Sequence, residues 1–100
     1  MTAYPPTPYT DCALAALEHE GRIMLMARRH DPAIADAGQA LINACGTRNY
    51  FKAAEAAQEA LTITRDAFMP AIADAIGDIL AIGAEKVARP FLMAAEVNPL

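Results

Sequence analysis

The hexapeptide PAIADA occurs twice in this chain, at Pro32–Ala37 and again at Pro70–Ala75. Proline suits the first position of a helix, because its missing N–H would have no partner there and its φ is already helical. Each copy therefore marks a helix start, and together they divide the chain into two helix pairs. Aligned on the copies, the first helix corresponds to the third and the second to the fourth. Outside the hexapeptide the correspondence is thin, with Ile23 opposite Leu61 and Leu25 opposite Ile63. Reused helix-start chemistry and a true duplication both remain open, and both give the same architecture. The expected fold is all-α: two αα-hairpins forming a small four-helix bundle over residues 10–89. An extended, proline-rich arm (residues 1–9) precedes the bundle, and a short tail turn (residues 90–100) follows Pro90. Two hairpins fall short of the three or more repeats that a solenoid needs.

Hydrophobic periodicity supports each helix. Helix one is expected over Thr10–Arg29, with Thr10 or Asp11 as its cap. Leu14, Leu17, Gly21, Met24 and Leu25 form one apolar stripe, and Cys12, Ala16, Ile23 and Met26 form a second, weaker one. A helix apolar on two sides is either central in its bundle or shared with a partner. Helix two has Asp31 as cap, Pro32 at its first position and Gly46 just past its end, with Ile34, Ala37, Gly38, Leu41 and Cys45 on one side. Helix three, Asn49–Asp66, turns Tyr50, Ala54, Ala57 and Leu61 inward. Helix four, Met69–Arg89, presents Ile72, Ile76, Ile79, Leu80, Gly83 and Val87, beside a strip of small residues: Ala73, Gly77, Ala84 and Ala88.

Composition narrows what such a bundle can do. The chain has 100 residues, is 55% hydrophobic, and about a quarter of it is alanine. Alanine forms helices readily but buries little area, so each contact is weak and close packing or association is the remedy. The formal net charge is −4, which argues against non-specific nucleic-acid binding, since that needs a basic face. The one basic cluster, Arg28–His30, falls where helix one should end and complements its dipole. The most apolar stretch, Ala67–Ala84, carries Asp74 and Asp78 near its centre, which excludes a membrane span. The N-terminus has no basic and apolar leader pattern, so a cytoplasmic location is expected. Two cysteines, Cys12 and Cys45, are too few for a disulfide scaffold or a zinc site, and are read as reduced, half-buried thiols lying near one another.

Candidate chemistry is sparse. Glu55 and Glu59 stand one turn apart on helix three, and Asp74 and Asp78 one turn apart on helix four. Paired acids on adjacent helices can hold Mg²⁺ through oxygen ligands. EAAQE followed by DAIGD faintly resembles the acidic motifs of the all-α nucleoside triphosphate pyrophosphohydrolases. That resemblance implies a magnesium-dependent nucleotide hydrolase using these four acids. It covers some twenty-five residues, and Ala56 and Ala75 stand where the family has further acids. Solvated helix faces are the favoured reading, so no metal or cofactor is expected. Asp74, Asp78 and Glu85 on one face of helix four also suggest a thin acidic mimic of nucleic acid. The leading expectation is a non-catalytic protein working through protein–protein contacts, as a homo-oligomer, a subunit of a larger assembly or a binding regulator. Compact, alanine-rich chains of this kind are common among phage and other mobile-element accessory proteins, including inhibitors of host machinery. The expected contact surface combines the arm (Tyr4, Tyr9), the second strip of helix one (Ile23, Met26) and the tail (Phe91, Leu92), which is expected to dock.

Overall fold

Proline and side-chain caps divide the chain where the helices begin. The computed structural model describes residues 8–27, 29–90 and 92–93. It contains α1 (Pro8–Leu25), α2 (Pro32–Gly46), α3 (Tyr50–Asp66) and α4 (Pro70–Gly83), the last continuing into one π-helical turn, Ala84–Ala88. Each helix packs on its sequence neighbours, and α1 also packs on α4, which closes a four-helix bundle. Among the described residues there is no strand. Short connections between consecutive helices make them antiparallel neighbours.

The caps follow the expected chemistry. The Asp31 carboxylate accepts from the backbone N–H of Ala33 at 3.1 Å and of Ile34 at 3.4 Å, with Pro32 opening α2 behind it. Asn49 does the same for α3, accepting from Phe51 at 2.9 Å and Lys52 at 3.4 Å. Pro70 opens α4 with no side-chain cap from Met69. Both copies of PAIADA thus begin helices, and Asp36 and Asp74 face outward.

The ends of the helices differ from expectation in several places. Pro8 and Tyr9 belong to α1 rather than to the arm, so the helix starts two residues early and buries Thr10 inside its first turn. At its far end α1 stops at Leu25 instead of Arg29. Met26 and Ala27 donate back only three residues, to Ile23 at 3.1 Å and Met24 at 3.0 Å. Such tightening closes a helix whose chain must become extended at Asp31, the residue before a proline. Gly46 is the last residue of α2, and the left-handed residue after that helix is Arg48, at φ 62°. Phe68 repeats the geometry after α3, at φ 57°. Left-handed backbone at a bulky residue costs about 1–2 kcal/mol relative to glycine.

Pro90 does not end the last helix. Arg89, Pro90, Leu92 and Met93 are helical, and the backbone adapts upstream. A proline ring crowds the carbonyl four residues before it and offers no N–H. The helix absorbs this in the widened turn, where Arg89 N–H donates to Ala84 oxygen. Leu92 and Met93 are 55% and 52% exposed, so this part of the tail does not dock as expected.

The core is built from Leu14, Leu17 and Met24 of α1, Ile34, Leu41 and Cys45 of α2, Ala53, Ala57, Ala60 and Leu61 of α3, and Ile72, Ala73 and Ile76 of α4. Thr64 is also fully buried; its hydroxyl donates to Ala60 oxygen at 2.8 Å, which satisfies it locally. The backbones of α1 and α2 come into close contact at Gly21 and Gly38. A Cβ on Gly38 would stand 2.6 Å from Gly21 oxygen and 2.7 Å from Met24 Cβ. The small-residue strip of α4 plays a lesser part: Ala73 is buried, but Ala84 is exposed and nothing lies within 4 Å of a Cβ on Gly77.

Candidate docking groove between the first and fourth helices

On α1, Tyr9, Cys12, Ala13 and Ala16 follow one another at helical spacing and face the same side. Across from them stand Ile79, Ile82 and Gly83 of α4 and Val87 of the π-turn, and together the eight residues line an open groove of about 210 Å³. The walls hold no charged side chain. Val87 is fully buried in the floor, whereas Ile82 on the rim is 59% exposed. At one end the Lys86 ammonium lies 5.5 Å from the centre of the Tyr9 ring, within cation–π range.

Two local features shape the groove. Gly83 admits the buried Tyr50 side chain from α3, and a Cβ there would collide with the tyrosine hydroxyl. The π-turn that follows then carries Val87 back to the interior. Charge is kept to the outside: Asp78 and Glu85, about one turn before and after Ile82, are both exposed, and Glu85 accepts from Arg89 at 3.0 Å.

The expected surface residues are scattered by this geometry. Tyr9 lines the groove together with Cys12 and Ala16 of the second α1 strip. Ile23 of the same strip packs against the core, and Met26, 81% exposed, sits in the turn at the end of α1. Leu92 is exposed beyond the π-turn, while Tyr4 and Phe91 lie outside the described residues. Ile82 and Phe68 were missed. Ile82 lies one residue off the core stripe of α4, and Phe68 follows the polar end of α3, where a turn residue gives no periodic signal.

The four candidate magnesium ligands are divided. Glu55 and Glu59 border a shallow depression of about 170 Å³ with Lys52 beside them. Asp74 faces a different depression, of about 300 Å³, shared with Arg65. Among the described residues no three or more histidine, cysteine, aspartate or glutamate side chains are grouped to hold a metal ion.

The two cysteines differ in environment. Cys12 is exposed in the groove and Cys45 is buried in the core, so they are free thiols of contrasting access rather than an equivalent half-buried pair. Burial first, and the nearby Glu18 carboxylate second, push the Cys45 thiol up to about 11. No described helix is long and apolar enough to cross a membrane. Comparison of the chain with family models, curated proteins and solved structures gave no match.

Proposed function

We propose that this chain is non-catalytic and works through protein–protein contact, as a subunit of a larger assembly or as a binding regulator, with the α1–α4 groove as its docking surface. The observation that carries the reading is the groove itself: open, free of charged lining residues, and rimmed by an exposed isoleucine. An aliphatic rim residue beside a concave apolar floor suits the anchor of a partner helix. Ala13 and Ala16 keep the α1 wall low enough for a helix to approach. Asp78 flanks the anchor, Glu85 is paired with Arg89 and Lys86 stands over Tyr9 at one end, so the charge around the groove is mixed and the fitting partner is an amphipathic helix matched by its apolar face. A magnesium-dependent hydrolase would need Glu55, Glu59, Asp74 and Asp78 to converge; Glu55 and Glu59 line one depression, Asp74 another and Asp78 neither, which supports the contact reading.

A photo-crosslinker attached through a maleimide to Cys12 tests this. Cys45 is buried and its thiol is raised to about 11, so labelling near neutral pH selects Cys12. In native extract the labelled chain is expected to crosslink one defined protein, identified by mass spectrometry. Ile82→Glu should reduce that product by about tenfold or more with helical content unchanged. Equal yields from both chains would contradict the groove as the docking surface.

A further inference from the structure

The α3–α4 turn holds a feature separate from the groove. Phe68 stands 90% exposed in left-handed backbone at φ 57°. The same place in the preceding turn is taken by Arg48, whose guanidinium pairs with Asp11 and so ties that turn to α1. Among the described residues no ring contact or ion pair ties Phe68 back to the bundle in this way. Beside it lies a depression of about 300 Å³ lined by Arg65, Met69, Pro70, Ala73 and Asp74, with Phe68 at its edge. Arg65 and Asp74 are both exposed, and neither takes part in any ion pair among the described residues.

A protruding ring, an adjoining hollow and one charge of each sign therefore lie side by side. A two-fold axis exchanges such neighbours, so that each copy's protrusion meets the other's hollow and each positive charge the other's negative. We propose that a second copy of this chain docks here, with Phe68 of each copy seated in the depression of the other and Arg65 of each facing Asp74 of the other. A copy of this chain supplies the ring, the hollow and both charges at once, which is the charge complementarity that favours it as the occupant. The patch is small beside a standard interface of about 1,600 Å², so the dimer is weak and exchanges rapidly.

Sedimentation equilibrium on the full chain tests the proposal. The wild type should move from monomer toward twice the monomer mass by about 1 mM chain. Phe68→Gly removes the ring while suiting the left-handed backbone, so it should stay folded and remain monomeric throughout. Arg65→Asp alone and Asp74→Arg alone should each be monomeric, because like charges then face each other across the axis. Mixed one to one, those two variants should form a heterodimer, since one copy carries two acids and the other two bases. Ile82→Glu should dimerise as the wild type does, which separates this surface from the groove. A monomeric wild type, an unaltered dimer in Phe68→Gly, or a mixture that fails to associate would each overturn the proposal. So would loss of the dimer in Ile82→Glu with Phe68→Gly unaffected, which would place the second copy in the groove.

Discussion

The two hairpins begin their second helices with the same six residues and then pack them differently. In α2 the buried positions run Ile34, Gly38, Leu41, Cys45; in α4 the corresponding residues are Ile72, Ile76, Ile79, Gly83. Glycine at the second of these places brings the backbones of α1 and α2 into contact at Gly21. Isoleucine at the same place in α4 fills the core with a side chain instead. Glycine returns at the fourth place of α4, where it makes room for Tyr50 beside the groove. A shared start sequence fixes where a helix begins, and the residue one turn later fixes how near its neighbour comes. The first hairpin is consequently a close seam, while the outer side of α4 faces a groove against α1 that no side chain among the described residues fills.

Exchanging the two packing modes should break this contrast most severely. Gly38→Val places a branched side chain against Gly21 oxygen and Met24, and should cost more than about 3 kcal/mol. Ile76→Ala leaves a cavity in place of a buried side chain and should cost about 2–4 kcal/mol. Urea denaturation of both variants reads the difference directly.

A second prediction uses the seam's own titratable group. The folded Cys45 thiol is raised from its model-compound value of 9.0 to about 11, so the folded chain holds this proton more tightly than the unfolded chain. The associated stability is fully present below pH 9 and is lost as the pH rises through about 11. Between those limits the wild type should lose on the order of 2 kcal/mol relative to Cys45→Ala. Chemical denaturation of the two chains at pH 8 and at about pH 11 checks the sign.

The smallest effect is expected at Gly77. A Cβ there meets nothing within 4 Å, so Gly77→Ala should stabilise the bundle by about 0.5–1 kcal/mol through better helix propensity. Gly83→Ala, only six residues later, should destabilise by forcing Tyr50 to move. Thermal unfolding of the pair separates a glycine kept for packing from one that is not.

Much of this architecture could be read from local chemistry. Asp31, Asn49, Pro32 and Pro70 act where they stand, so the starts of α2, α3 and α4 were legible from a few residues each, whereas α1 begins two residues before its expected cap. The stripes containing Leu14, Leu17, Ile34, Leu41, Ile72 and Ile76 identified the core faces by period alone. What was not legible depends on residues far apart in sequence. Gly21 and Gly38 were each visible on an apolar face, but their meeting is a property of the crossing between two helices. The widened turn before Pro90 is a compromise between a missing hydrogen bond and continued helix packing, which spacing alone does not encode. The groove joins a strip of α1 to a strip of α4, and only the closure of the bundle brings Tyr9 and Cys12 opposite Ile79 and Val87. Phe68 gave no signal because a single turn residue has no period.

Under the docking proposal, the seam between α1 and α2 is the fixed part of this molecule and the α1–α4 groove its working surface. Amide hydrogen exchange on the free chain, and on its complex with the protein crosslinked at Cys12, tests both halves together. The slowest exchange should flank Gly21 and Gly38 in both states. Binding should add protection over residues 13–16 of α1 and residues 79–87 of α4 and its π-turn. Protection gained elsewhere, with residues 79–87 unchanged, would contradict the account.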